Sequence, residues 1–265
     1  MKAARQVPTR VVGRKIAQRL VREWETMQSL YIPSRETRFT CMLDLLERRL
    51  PARFQALDLG CGPGSLSERL LNRFPHAQCT ALDFDPLLLE LGRTCLGDMG
   101  GRLRWVEADL RQADWAGSLG RGRFDAVLST TALHWLSPEE LKNVYAEAWK
   151  RMRKGGILLN GDRATIGPAE RELRRLTTDA HMRTLKKRVG KSPEHPWRNW
   201  WGEVRSRQEL LPLLEERHRR FRNEEHWDPD LPATTHLRYL RGVGFSEASV
   251  VWRELINAVM VGLKN

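Results

Sequence analysis

The 265-residue chain has only four cysteines, Cys41, Cys61, Cys79 and Cys95, and no Cys-Xaa-Xaa-Cys pair. No histidine stands at a ligating interval from them, so nothing points to zinc, and a reduced, cytoplasmic setting is expected. No apolar run approaches the ~20 residues that cross a bilayer, which removes a membrane partner from the expectations. Repeats and low-complexity stretches are lacking. Met1–Arg22 is free of acids, as transit peptides are, but it is poor in serine and is expected to stay in place. Lysine is scarce as well, 9 against 36 arginines, so almost all of the positive charge is arginine. That charge is unevenly placed. Residues 1–24 hold seven Lys or Arg against one acid and residues 163–222 hold sixteen against eight, so these two stretches contribute +6 and +8 of the net +12 and leave −2 for everything else.

The acidic remainder contains the most informative run, Asp58-Leu-Gly60-Cys61-Gly62-Pro63-Gly64. The apolar Gln55-Ala-Leu57 precedes it, and Leu66 to Phe74 follows with helical spacing. A strand, a turn with three glycines in five positions and a helix let backbone approach a nucleotide-like ligand closely. The dinucleotide fingerprint would put Gly or Ala at position 65. Ser65 stands there instead, so a different nucleoside site is expected. Ser65 and Glu68 have capping-box spacing. The run resembles the first motif of class I S-adenosylmethionine-dependent methyltransferases, with every expected position filled.

Later strands carry the same resemblance. Cys79 to Leu82 ends at Asp83, 25 residues past Asp58, where a carboxylate can bridge the two hydroxyls of a ribose. Phe84 offers a ring face to adenine, and Asp85-Pro86 opens a helix. Leu103 to Ala108 runs into Asp109-Leu110. In the family, the acid here takes the adenine amine and its neighbour's backbone serves the ring. Phe124–Ser129 and Gly156–Asn160 read as two further strands. Between them Ser137 and Glu140 cap a helix that Gly155-Gly156 stops. Alternation of this kind implies a parallel doubly wound α/β sheet. A helix near Thr235–Leu240 and the strands Ser249–Trp252 and Ala258–Gly262 resemble the family's end. The resemblance thus covers residues 31–163 and 231–265 and implies a Rossmann-like, seven-stranded sheet with an antiparallel last strand.

The expected organisation is an amino-terminal cap helix over 1–30, a cofactor-binding core over 31–162 and 231–265, and a helical cap over 163–230. Apolar residues at helical spacing support the cap: Val12, Ile16, Leu20, Trp24 and Met27 in its first part, then Leu173, Leu176, Ala180 and Leu185, then Trp197, Trp200 and Trp201.

After the fourth strand, Leu133-His134-Trp135 lies at the carboxyl end of the sheet, where a transferred methyl must sit. It looks like the equivalent loop of carboxylate O-methyltransferases of the trans-aconitate and malonyl-carrier types. His134 and Trp135 are the candidate catalytic residues, with an imidazole and an indole N–H facing an acidic acceptor. The resemblance gives cofactor contacts to Asp58, Gly60, Cys61, Gly62, Gly64, Asp83, Phe84, Asp109, Leu110 and Thr130, and lets Arg38 pair with the cofactor's carboxylate. Thr130 stands where several relatives have Asn.

Three functions follow. The favoured one is S-adenosylmethionine-dependent methylation of a small acidic molecule, with an acidic carrier protein as a partner that the basic cap would suit. The second is a nucleic-acid methyltransferase whose cap grips phosphate, although the chain has neither Asp/Asn-Pro-Pro-Tyr/Phe nor a cysteine after the fourth strand. The third is a module that binds the cofactor without transferring its methyl.

Overall fold

In the computed structural model the described residues are 12–190, 195–221 and 231–265. The chain runs α1 (Arg14–Tyr31), α2 (Arg35–Arg49), β1 (Gln55–Leu59), α3 (Ser65–Arg73), β2 (Gln78–Asp83), α4 (Pro86–Leu96), β3 (Leu103–Glu107), β4 (Phe124–Thr130), α5 (Pro138–Arg151), β5 (Met152–Arg163), α6 (Arg171–Val189), α7 (His195–Arg205), α8 (Leu211–Phe221), α9 (Ala233–Val243), β6 (Glu247–Glu254) and β7 (Asn257–Leu263). One seven-stranded sheet has the order β3-β2-β1-β4-β5-β7-β6. β1 to β5 are parallel. β7 enters antiparallel between β5 and β6, pairing Leu159 with Val261 and Val250 with Met260. The expected doubly wound sheet with its reversed last strand is therefore the observed one.

Side chains alternate across the sheet and build two cores. Ala56, Ala126, Leu128, Ile157 and Leu159 face α2 and α3 through Phe39, Met42, Leu46, Leu66 and Leu70. Leu57, Leu59, Val127 and Leu158 face α5 and α9 through Leu141, Val144, Tyr145 and Leu240. The order reverses between β1 and β4, which opens a crevice beyond the carboxyl ends of those strands.

A third cluster joins α1, α4 and α7. It holds Val12, Leu20, Met27, Leu87, Leu91, Trp200, Trp201 and Val204, and the Trp200 indole donates to the Leu20 carbonyl at 3.0 Å. Two of the three cap tryptophans are thus core side chains, and Trp197 lies at the edge of that cluster, 5.8 Å from Trp201.

Several local expectations need correction. The hydroxyl of Ser65 makes no cap. Gly64 is the N-cap of α3, with φ +91°, and Ser65 donates instead to the carboxylate of Glu25 on α1. A capping box does form at Ser137 and Glu140, with Ser137 N–H donating to Glu140 Oε2 at 2.7 Å and Glu140 N–H to Ser137 Oγ at 3.3 Å. α5 ends at Arg151, before the glycine pair, because Met152 already pairs with Phe124 as the first residue of β5. α6 does not bury the apolar face expected of it. Leu173 and Leu176 are 56% and 47% exposed, Ala180 and Leu185 are part-exposed, and only His181 is buried. Seven cations along this helix keep most of its surface in solvent, so an apolar spacing by itself did not dictate burial. The expected cap helix over 1–30 is described from residue 12 onward, and the cap over 163–230 lacks 191–194 and 222–230 among the described residues.

Candidate functional site

The glycine turn closes β1 against β2. Gly60 and Cys61 N–H both donate to the Leu82 carbonyl, at 2.8 and 3.0 Å. Gly60, Gly62 and Gly64 all have positive φ, which L side chains rarely adopt. A Cβ on Gly60 would stand 2.4 Å from Ala132 Cβ, so this position must be bare for the loop after β4 to pack onto the turn. The turn and the His134 loop are therefore one surface.

Asp58 and Asp83 lie beneath this surface. Burial pushes the Asp58 carboxyl up to about 7, against a hydrogen bond from Ser67 Oγ at 2.6 Å, and the nearby Asp83 adds to the rise. Burial likewise raises Asp83, to about 6. Asp83 Oδ2 accepts from Gly62 N–H at 2.7 Å, and its Oδ1 accepts from Phe84 and Asp85 N–H at 2.7 and 2.8 Å. Asp58 Oδ1 is buried without a partner among the described residues, an acceptor that a cationic or hydroxyl-bearing ligand would complete. An open cradle over Gly62, two high-lying carboxyls and an orphaned acceptor fit a cationic nucleoside.

At the end of β3, Asp109 accepts from Arg111 Nε at 2.7 Å and Nη2 at 2.8 Å. Burial would raise this carboxyl, but Arg111 holds it below the usual range. Leu110 is half-buried among the side chains under α5. Cys61 is buried, and burial raises its thiol far above the ordinary range. Its backbone N–H holds the turn to β2 through the Leu82 carbonyl.

The other half of the crevice is formed by α2, β4 and β5. Arg38 is 1% exposed and donates through Nη2 to Thr130 Oγ1 at 2.7 Å and to Thr131 Oγ1. It passes over Gly161, where a Cβ would come within 3.1 Å of Arg38 Cδ. Burial lowers the guanidinium to about 10, opposed by the charge of Asp162, and Nε has no partner among the described residues. Thr131 has φ +54°, a strained conformation for a β-branched residue. The strain turns the chain into the Leu133–Trp135 turn.

Asp162 is the residue that organises this loop, and the sequence reading did not identify it. Its Oδ1 lies 2.7 Å from His134 Nδ1, and its Oδ2 accepts from His134 N–H at 3.1 Å. Burial would raise Asp162, yet His134 and Arg38 hold it well below the usual carboxylate range. The imidazole is thereby fixed through Nδ1. Trp135 is half exposed, with its ring 5.1 Å from that of His134. Behind them Tyr145 Oη lies 2.8 Å from His236 Nδ1 and accepts from Asn160 Nδ2 at 3.0 Å. Burial lowers His236 to about 4 and raises Tyr145, so both are neutral. The one available signal was Asn160-Gly161-Asp162, polar residues ending an apolar strand at the carboxyl edge of a sheet.

The structure thus brings Arg38, Asp58, Gly60, Gly62, Asp83, Thr130, His134 and Trp135 to one edge of the sheet. Phe84 lies at the far end of that edge, against Arg111, Arg220 and Phe221. Glu25 of α1 joins from outside, accepting from Ser65 Oγ, Arg35 Nη1 at 2.7 Å and Arg69 Nη2 at 2.8 Å. Burial opposes its ionisation, but Arg35, Ser65 and Arg69 bring it down to about 2. Among the described residues no cluster of His, Cys, Asp or Glu is placed to hold a metal, and no helix is long and apolar enough to cross a membrane.

Comparison with known proteins gives a match to a methyltransferase domain family over residues 56–156. The chain is 35% identical over 114 residues to the malonyl-[acyl-carrier protein] O-methyltransferase of Legionella pneumophila, covering 42% of this chain and 36% of that protein. It is 30% identical over 136 residues to the trans-aconitate 2-methyltransferase of Azoarcus sp., covering 51% and 49%. The chain therefore spans about a third to a half of the length of the curated relatives it matches. Its fold is that of a structure described as a putative S-adenosyl-L-methionine-dependent methyltransferase of Methanococcus maripaludis, with a TM-score of 0.52, 17% identity, and 99% and 98% coverage.

Proposed function

We propose that the chain, which matches a methyltransferase domain family over residues 56–156, transfers a methyl group from S-adenosylmethionine to a carboxylate oxygen of a small acidic molecule. The fixed His134–Asp162 pair beside Trp135, pressed onto the glycine turn through Ala132, carries this reading. Asp58, the turn Gly60–Gly64 and Asp83 would hold the cofactor's polar groups. Phe84, Asp109 and Leu110 would take its adenine, and Arg38 with Thr130 its carboxylate. Bound there, the cofactor supplies an electrophilic methyl on a cationic sulfur. The protein's task is to align the acceptor and exclude water.

A carboxylate is ionised at neutral pH and needs no base. Trp135 then donates through its indole N–H, and His134 donates through Nε2 in its doubly protonated form, since Nδ1 already gives its proton to the Asp162 carboxylate. The two named relatives act on acids, malonyl-carrier protein and trans-aconitate, which supports this acceptor class. The His134–Asp162 geometry also favours a second reading, in which the acceptor is a hydroxyl and His134 removes its proton.

The test is a methyl-release assay over acids, phenols, amines and RNA, with Trp135→Phe beside the wild type. For a carboxylate acceptor, kcat/KM of Trp135→Phe is expected to fall about ten- to a hundredfold, the loss of one hydrogen bond to a charged group, with cofactor affinity unchanged. The rate should be level or falling above neutral pH. A rate that climbs with pH through the histidine range marks the hydroxyl reading, and a product methylated on nitrogen, carbon or a nucleobase rejects both.

The acidic crevice gives a separate expectation. Asp58 and Asp83 have carboxyls raised in the fold, so their contribution to stability is complete below about pH 4 and is lost as pH rises through about 6 and 7. A cationic ligand offsets that loss. Calorimetry from pH 4.5 to pH 8 should show S-adenosylmethionine binding tighten about tenfold for each carboxyl that the ligand lowers by about one unit. Affinity that is flat or falls with pH would remove these two residues from the site.

A further inference from the structure

Arg38 is set beneath the surface of the crevice. The side chain is 1% exposed and wedged over Gly161, where an added Cβ would come within 3.0 Å of Met42 Sδ and 3.1 Å of Arg38 Cδ. The charge of Asp162 offsets it, yet no carboxylate is bonded to it among the described residues, and its Nε has no partner there. Its outlet is Nη2, which donates to Thr130 Oγ1 at 2.7 Å and to Thr131 Oγ1. A buried cation without a bonded counter-ion is costly, and these two hydroxyls are what joins it to the crevice.

Both hydroxyl-bearing residues stand at that surface. Thr130 ends β4, Thr131 begins the loop to His134, both are part-exposed, and their Oγ1 atoms lie 3.4 Å apart. An oxygen that accepts from a guanidinium turns its own proton elsewhere. One of the two protons can serve the contact between the hydroxyls, and the other has no acceptor among the described residues. A hydroxyl polarised by a cation behind it is a donor suited to an anion, and the 3.4 Å span suits the paired oxygens of a carboxylate. Thr131 holds its place at a cost. Its φ of +54° is one that a β-branched residue avoids and glycine takes freely, and its N–H is pinned to the Gly161 carbonyl at 3.0 Å. Backbone strain of this kind collects where ligands are gripped.

We propose that Thr130 and Thr131 are the contacting half of a carboxylate site whose charge Arg38 supplies from behind, with Thr131 the specificity-determining residue that the strained loop presents. The carboxylate is that of the cofactor's aminoacyl end or that of the acceptor, both of which are expected along this edge. This rests on the S-adenosylmethionine reading above. Arg38 is a positioning residue that orients and polarises the hydroxyls, and the threonines do the binding. A neutral amide or ester in the same place forfeits the charge, so the site selects the ionised acid.

The experiment compares wild type with Thr131→Val, which keeps the branched shape and loses the hydroxyl, and Thr131→Ser, which keeps the hydroxyl, with circular dichroism to show that each is folded. Should Thr131→Val not fold, Thr131→Gly, which takes the same φ without cost, replaces it with the same expectations. Calorimetry uses S-adenosylhomocysteine and methylthioadenosine, a nucleoside thioether without the aminoacyl end, and methyl release is measured with trans-aconitate, malonyl pantetheine and benzoate. If the cofactor supplies the carboxylate, Thr131→Val binds S-adenosylhomocysteine about tenfold more weakly and methylthioadenosine as wild type does. If the acceptor supplies it, both nucleosides bind as before and KM for the acid rises about tenfold. In either case Thr131→Ser recovers most of the loss. Equal weakening of both nucleosides overturns the proposal, as does unchanged S-adenosylhomocysteine affinity together with no acid whose KM rises, or a loss that Thr131→Ser does not recover. A wild type that binds neither nucleoside overturns the cofactor reading, and the proposal with it, before any variant is compared.

Discussion

Asp162→Ala is expected to lower stability by about 3–5 kcal/mol, the range for removing one partner of a buried charged pair. Asp162 is fully buried between His134, whose ring and N–H it holds, and the buried Arg38, whose charge it offsets. Removing the carboxylate leaves a guanidinium in the interior with only the Thr130 and Thr131 hydroxyls for partners among the described bonds. For a chain of this size the loss corresponds to a fall of roughly 10 °C in Tm. Turnover should fall more steeply than stability, on the order of a hundredfold or more, since the imidazole loses its orientation. Asp162→Asn keeps the volume and one acceptor, so it should recover much of the stability and little of the turnover. The carboxyl is held below its ordinary range, so the stability it contributes is present above about pH 4 and is lost only as pH falls below that. Thermal unfolding at pH 7 with kcat measured below the transition checks all of this. An Asp162→Ala protein with wild-type Tm and turnover would remove the residue from the site.

Gly60→Ala should be the second severe change. The new Cβ would lie 2.4 Å from Ala132 Cβ on a backbone with φ +67°, so the turn must distort or the loop after β4 must lift. A left-handed conformation costs an L residue about 1–2 kcal/mol, and forced overpacking about 1–3 kcal/mol more. Gly62→Ala makes a matched control. It has a similar φ of +55°, but its Cβ would meet only Leu88 Cδ1 at 3.9 Å, so the conformational cost alone applies. Denaturant midpoints should therefore rank wild type, Gly62→Ala, Gly60→Ala in falling order. Ala132 is two residues from His134, so Gly60→Ala should also depress kcat beyond any effect on cofactor affinity. Equal midpoints for the two variants would show that the turn and loop are not in contact.

The proposed cofactor half of the site is legible in the sequence because it consists of backbone and strand ends. Three glycines, a strand before them and a carboxylate at the end of the next strand are local features, each fixed within a few residues of chain. The acceptor half is not. Asp162 meets His134 across 28 residues, Arg38 meets Thr130 across 92, and Ser65 meets Glu25 across 40. Nothing in the local pattern of Ser65-Leu-Ser-Glu68 distinguishes a capping box from a hydroxyl bonded to another helix. Likewise, Leu173 and Leu176 have the spacing of a buried face, and burial depended on what stood opposite. The place of His134 and Trp135 after β4 was readable because loop position at a strand end is local. Their partner was not, because pairing of β4 with β5 decides it.

The match to the methyltransferase domain family stops at residue 156, inside β5, whereas the hydrogen bonds of the sheet continue. Beyond that point β5 is zipped to β7 from Ile157–Leu263 to Arg163–Asn257, and at the opposite margin the carboxylate of Glu25 clasps Ser65. The matched segment is consequently shorter than the hydrogen-bonded sheet. A piece cut along the boundaries of the shared sequence would carry every glycine of the nucleoside turn. It would also end in a raw strand edge able to recruit other chains, and would lack Asp162 and Arg38, so it would be a template for aggregation before it was a receptor for any cofactor.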